Sequence, residues 1–261
     1  MNGKEFFQNM ILITNDDGIY SPGIHALWEA LKSIGHTIVV VAPSSQKSAT
    51  SHSITISKPI RIKEVKIANG FSGFSVSGTP ADCTKIALKS ILNEKPKVLI
   101  SGINLGANVG NNILYSGTVS SAMEGTLLGV PSIAISLNSF MTDRFELSKI
   151  LARDIVNFVL ENNLPKGTML NVNVPDIAPE KFLGIRITKQ GNQFFNDDFD
   201  QRTDPRGQAY YWMKGEIEDN DRELIFDGRA ILDGYASVTP IGYNMTNESY
   251  IPDLEEKLLG E

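Results

Sequence analysis

The sequence predicts an α/β fold: a Rossmann-like, parallel-sheet core followed by a smaller, partly extended C-terminal portion. Three observations lead there. The 261-residue chain opens strand, helix, strand, and short branched apolar runs then alternate with helical periodicities. Polar loops follow the carboxyl ends of the first three parallel strands. After about Asp176 the texture turns polar and aromatic, and the periodicity fades. The expected division is a core over 1–176 and a portion over 177–261 that serves oligomer contacts.

Each element has a local reason. Ile11–Thr14 is short and branched, as a buried strand is. Ser21-Pro22 supplies an N-cap and a proline at the first helical position, and Ile24, Leu27, Trp28 and Leu31 follow at helical spacing. Gly35 is the expected stop of that helix. Ile38–Ala42 is the second strand, closed by Pro43, and a right-handed crossover joins the pair. Ser44 to Ser53 is a loop by composition, and Ile54–Val76 alternates as hairpin strands do. Thr79-Pro80-Ala81-Asp82 starts another helix, with Cys83, Ile86, Ala87, Ser90 and Ile91 as its inner stripe. Val98–Ile100, Ser132–Ser136, Leu170–Val174 and Ser237–Ile241 read as strands. Helices are expected from about Thr118, over Leu147–Leu160 and at Leu254–Leu259.

The bulk numbers exclude whole classes. No apolar run approaches the roughly 18 residues of a membrane span. The opening "MNGKEFFQNM" has no apolar core of a secretory signal, and the one cysteine, Cys83, has no internal partner. The cytoplasm is therefore the expected compartment. A net charge of −6 without a basic cluster argues against a nucleic-acid polymer as partner. A small anion remains open if a local positive element is supplied.

Ligands of open parallel sheets bind beyond the carboxyl ends of the strands. Three polar clusters fall on that rim: Asn15-Asp16-Asp17-Gly18, Ser44 to Ser53, and Ser101 to Thr118. Adjacent carboxylates repel each other and lose hydration unless something neutralises them. A hard divalent cation with oxygen ligands does so. A simple Asp-Gly turn would explain the same four letters, but the convergence of three loops favours metal. Ser116-Gly117-Thr118 precedes a helix, where free N–H groups and hydroxyls form an anion cradle. An ordinary N-cap would look alike. The loop before it, however, carries Asn104, Asn108, Asn111 and Asn112 among three glycines, and such long amide-rich loops are usually functional. Acid pair, amide ligand and helix start together suggest a metal-dependent phosphoryl site.

Competing motifs are missing. The chain has no G-x-x-x-x-G-K-[ST] and no G-x-G-x-x-G after the first strand. His25 and His36 read as surface residues. His52 sits in the rim loop within reach of a substrate, yet a lone loop histidine is more often not catalytic. Cys83 and Trp28 read as packing. Phe194, Phe195, Tyr210, Tyr211 and Trp212 read as core or subunit contacts rather than base-stacking groups.

The ordered motifs "NDDG", "SPGIHAL", "VVAP", "SGTPADC", "SGINLGANVG" and "YSGTVSSAMEG" resemble the SurE family, the stationary-phase survival proteins. These are divalent-metal-dependent nucleoside monophosphate phosphatases (5′-nucleotidases). The match is dense from Ile11 to Ser136 and thins to "RTDPRG", "YYW" and "SVTP" beyond. The resemblance implies one divalent ion, Mg²⁺ or Mn²⁺, held by Asp16, Asp17, Ser48 and Asn104. It implies phosphate binding by Ser116, Gly117 and Thr118 with Asn108 nearby, so that Asp16, Asp17, Asn104 and Asn108 form the catalytic set. It also implies a homodimer or homotetramer acting on nucleotides, with 3′-nucleotides and short polyphosphate as further candidate substrates. Ser48 rests on the resemblance alone. Ala49 stands where many members have glycine, and alanine does not reach positive φ cheaply, so the loop around Ser48 is expected to differ. Attack by water is favoured over attack by Asp16 or Asp17, because a carboxylate engaged with metal is a weaker nucleophile. A haloacid-dehalogenase-type phosphatase would show Asp-x-Asp instead of adjacent acids. A non-catalytic metal-dependent nucleotide sensor is the alternative from another class.

Overall fold

The computed structural model describes residues 9–66 and 70–260. Residues 1–8 of the N-terminal stretch read above, and 67–69 of the alternating segment, lie outside the described residues. In chain order the elements are β1 (Met10–Thr14), α1 (Pro22–Leu31), β2 (Thr37–Pro43), β3 (Ile62–Lys66), β4 (Ser72–Val76) and α2 (Pro80–Ile86). Then come β5 (Val98–Leu105), α3 (Gly117–Leu127), β6 (Ser132–Asn138), α4 (Glu146–Glu161) and β7 (Thr168–Pro175). The C-terminal portion adds β8 (Ile185–Ile187), β9 (Phe194–Thr203), β10 (Ala209–Glu218), α5 (Asp227–Leu232), β11 (Ala236–Gly242) and α6 (Ile251–Leu259).

A nine-stranded sheet carries the fold, in the order β3-β4-β2-β1-β5-β6-β7-β11-β8. From β4 to β7 every neighbouring pair is parallel, while β3 and β11 each pair antiparallel with their inner neighbour. Strand order reverses at β1: the chain first adds β2 on one side and later β5 on the other. That reversal opens a crevice beyond the carboxyl ends of β1 and β5.

Both faces of the sheet are covered, which is why its strands read as continuous apolar runs. Ile11 and Ile13 point into one core with Ile24, Leu27 and Leu31 of α1 and Leu151, Ile155 and Val156 of α4. Leu12 points the other way, into a core with Cys83 and with Val119 and Ala122 of α3. Each such buried aliphatic side chain contributes roughly 1.5–3 kcal/mol relative to exposure.

Caps fix the helices that frame the crevice. Ser21 caps α1 by accepting from the Ile24 N–H, with Pro22 following. Thr79 and Asp82 form a reciprocal capping box at α2. Some local expectations change. The α1 helix ends at a Lys32 cap, and Gly35 takes its positive φ three residues later. His25 is not a free surface residue: its ring stacks on Phe71 with centroids 4.2 Å apart. After Ile86 the backbone widens into a π-turn over Ala87–Ile91. The extra residue per turn rotates the inner stripe, so Ser90 faces solvent.

The C-terminal portion is divided in two. β8 and β11 complete the main sheet, so no break in the sheet accompanies residue 176. β9 and β10, of ten residues each, instead form a separate antiparallel hairpin. On it Phe195, Tyr210, Tyr211 and Trp212 are exposed, which removes the core reading of these aromatics. Helix α6 likewise has no buried residue.

Candidate active site

Six of the eight expected site residues line one cavity of about 350 Å³ at the switch point: Asp16, Asp17, Ser48, Asn104, Asn108 and Ser116. Three segments deliver them, each from the carboxyl end of a parallel strand. The β1 turn presents the acids. In it Asn15 accepts from the Gly18 N–H at 3.2 Å and donates to the Gly18 carbonyl and to the Ser21 hydroxyl, tying the turn to the α1 cap.

Asn104 is aimed by an irregularity. Between Ser101 and Asn104, β5 carries one residue more than the β6 segment it faces. Gly102 sits in that bulge at φ +142, where a Cβ would lie 2.3 Å from the Ile135 carbonyl oxygen. The Asn104 amide N–H₂ donates to the Gly106 carbonyl at 2.8 Å. Its Oδ1 is thereby left as the group that faces a ligand, and a carbonyl oxygen suits a hard cation.

The acids carry the electrostatic signature. Asp16 is almost fully buried, and burial pushes its carboxyl up to about 6; the neighbouring Asp17 adds to the rise, and a hydrogen bond from Thr118 opposes it. Burial also raises Asp17, against hydrogen bonds from the Leu105 N–H and the Gln46 amide. Among the described residues no lysine, arginine or histidine pairs with either acid. Two neighbouring carboxylates are thus withdrawn from water with no protein cation to compensate them. Together with the Ser48 hydroxyl and Asn104 Oδ1 they make an all-oxygen donor set of the kind that divalent Mg²⁺, Mn²⁺ or Ca²⁺ accepts.

The helix start gives one residue an altered task. Thr118 is fully buried, and both its hydroxyl, at 2.5 Å, and its backbone N–H serve Asp16. It orients a carboxylate rather than standing open to an anion. Ser116 accepts from the Val119 N–H as the α3 cap and still reaches the cavity. A Cβ at Gly117 would lie 2.8 Å from the Asp16 Cβ, so glycine is what lets α3 start against the acids.

Other supporting residues escaped the sequence. Gln46 donates to Asp17 at 3.2 Å and to the Ser48 hydroxyl at 2.9 Å, bridging two of the expected ligands. Its only signal was its place in the rim loop. Asn171 and Asn173, inside β7, clamp Asn108: Asn173 Oδ1 accepts from its N–H at 2.8 Å, and both amides donate to its carbonyl. Polar residues at alternate positions of an otherwise apolar strand were their signal. Ala49 adopts φ +53 despite its Cβ, so the loop keeps a left-handed turn there and carries the strain.

A doubly covered parallel sheet with paired acids, amide oxygens and a helix start around one cavity at its switch point defines the class: an α/β protein with a polar, acid-bearing candidate site beyond the carboxyl ends of its parallel strands. The comparisons narrow it. The family described as "Survival protein SurE" matches residues 11–197. A protein of Heliobacterium modesticaldum described as "5'-nucleotidase SurE" is 46% identical over 96% of this chain and 92% of its own. One of Thermosipho africanus with the same description is 44% identical, covering 95% and 96%. The crystal structure of the SurE protein from Aquifex aeolicus superposes with a TM-score of 0.81 at 42% identity, covering 97% of this chain and all of that one. The chain belongs to the SurE family.

Proposed function

We propose that the protein is a metal-dependent 5′-nucleotidase that hydrolyses nucleoside monophosphates to nucleoside and inorganic phosphate. The observation that carries this reading is the uncompensated pair of buried Asp16 and half-buried Asp17 set against the start of α3. The 5′-nucleotidase descriptions of relatives that match nearly the whole chain support the same activity.

Asp16, Asp17, Ser48 and Asn104 are the residues that hold one divalent ion, Mg²⁺ or Mn²⁺. When bound, such an ion supplies a Lewis acid for the phosphoryl oxygens and neutralises the acids that would otherwise repel the substrate. Ser116 and Gly117 bring the positive end of α3 to the phosphate. Asn108, whose backbone is held by the β7 amides, lines the same cavity and adds a further polar group to it. Thr118 fixes Asp16 through the hydrogen bond from its hydroxyl to Oδ1. Attack is by water, and the nucleoside oxygen leaves with a proton.

The exposed hairpin β9–β10 and helix α6 are the parts we assign to assembly into a homodimer or homotetramer, in keeping with their unburied aromatic and apolar side chains. No described helix is long and apolar enough to cross a membrane, and we assign the protein to the cytoplasm. The test is phosphate release from AMP and GMP with Mn²⁺ or Mg²⁺ supplied. Release that a chelator abolishes is the expected result. No release from any nucleotide in either metal sinks the reading.

A further inference from the structure

Glu124 is a buried acid that the proposed chemistry leaves unused. It lies on α3, two turns beyond the phosphate cradle, and only 3% of it is exposed. Two basic side chains from different parts of the chain meet it. Lys85 of α2 reaches Oε1 at 2.5 Å, and His52 Nε2 reaches Oε2 at 2.9 Å. His52 belongs to the rim loop that carries Gln46 and Ser48. A buried charge retained with polar partners gives weak stabilisation relative to an apolar core, so its use is better sought in the geometry it enforces.

That geometry is a strap. At its near end the loop is tied to the metal turn, where the Lys47 N–H donates to the Asp16 carbonyl at 2.7 Å. Next, Ser51 bonds the Leu114 and Tyr115 carbonyls through its hydroxyl and N–H, just ahead of the α3 cap. Then His52 engages Glu124, and the Ser53 carbonyl accepts from the Thr79 hydroxyl at the start of α2. Ser48 itself, at the exposed crown between Lys47 and Ser51, bonds only to Gln46 of the same loop among the described residues. Its position therefore depends on the anchors on either side. Of these, the hydrogen bond from His52 to the Glu124 carboxylate is the one made to the body of α3.

We propose that His52 is a positioning residue for the cation site: by docking on Glu124 it holds the 44–53 loop down, keeps Ser48 beside Asp16 and Asp17, and ties that ligand to the same helix that starts the phosphate cradle. This rests on the metal-dependent reading above. A loop that occupies the docked form only part of the time weakens apparent metal affinity in proportion, without changing the docked site.

The experiment compares the full-length parent with His52→Ala and His52→Gln. His52 is on a loop, so both variants are expected to fold, and thermal unfolding checks this. Three quantities are read: Mn²⁺ affinity by electron paramagnetic resonance of the free ion, tryptic cleavage after Lys47, and kcat on AMP at saturating Mn²⁺. With one charge-assisted anchor removed, His52→Ala should raise the apparent Mn²⁺ Kd about three- to tenfold and speed cleavage after Lys47, with kcat at saturation close to the parent. His52→Gln, whose amide can still donate to Glu124, should recover most of the affinity. A parent that binds Mn²⁺ while His52→Ala matches it in affinity and cleavage overturns the positioning role and leaves the nucleotidase reading intact. A parent that neither binds Mn²⁺ nor releases phosphate overturns both.

Discussion

Two buried carboxylate centres lie along the same helix and are handled in opposite ways. At the start of α3, Asp16 and Asp17 share a site without a protein cation, and burial lifts both above the ordinary aspartate range. Further along, Glu124 is buried too, but hydrogen bonds from His52 and Lys85 outweigh that burial and hold it below the ordinary glutamate range. Burial alone does not mark a functional site. What distinguishes the first centre is a pair of adjacent acids with no protein counter-charge among the described residues, and the proposed cation is what would supply one.

The sharpest way to break this contrast is to neutralise one acid at a time. Asp16→Asn keeps an oxygen for the Thr118 hydroxyl but removes the ligand charge. Phosphate release from AMP should fall by at least about a thousandfold, because ground-state metal binding and transition-state charge stabilisation go together. Metal-free stability should hold or rise, since a desolvated charge disappears. A thermal midpoint that drops sharply would mean the acid is compensated after all.

Glu124→Gln should do the reverse. It strands Lys85 and His52 beside a neutral amide, and the protein should lose about 1–3 kcal/mol of stability in urea titrations. The pH dependence has a definite sign. Glu124 has a lower pKa folded than unfolded, so its contribution is fully present above the ordinary glutamate value and is lost as the pH falls through the folded one. The parent's acid loss of stability should therefore be shallower in Glu124→Gln. Identical acid limbs in the two proteins would remove the basis for calling this centre compensated.

The smallest effect concerns the loop that joins the two centres. Ala49→Gly relieves a left-handed alanine but frees the unfolded chain, and the net gain should be under about 1 kcal/mol. A loss of stability would show that the Ala49 side chain contributes packing that outweighs its strain.

Much of this was legible because its causes are local. The run Ile11–Thr14, the Ser21-Pro22 start and the Thr79–Asp82 box announce themselves through neighbours three or four residues apart. So do the paired acids, whose mutual repulsion is visible in two adjacent letters. The pairing of His52 with Glu124 spans 72 residues, and nothing in either neighbourhood encodes it. The β9–β10 hairpin escaped because its strands are exposed on both faces, so no apolar alternation records them, and only "TDPRG" marks the turn. Ser90 was misplaced because a π-turn, which has no residue signature here, shifts the helical phase.

The extra residue in β5 bears on how change in this protein is to be read. Counted in twos from Ser101, the strand should bring Ile103 opposite Ser136, yet Asn104 stands there. Parity, not chemistry, decides which side chain the crevice receives. A chain identical in every side chain but with that segment paired regularly would turn Asn104 to the other face and offer an isoleucine to the crevice. Comparisons that score only which residue occupies which position would find nothing altered.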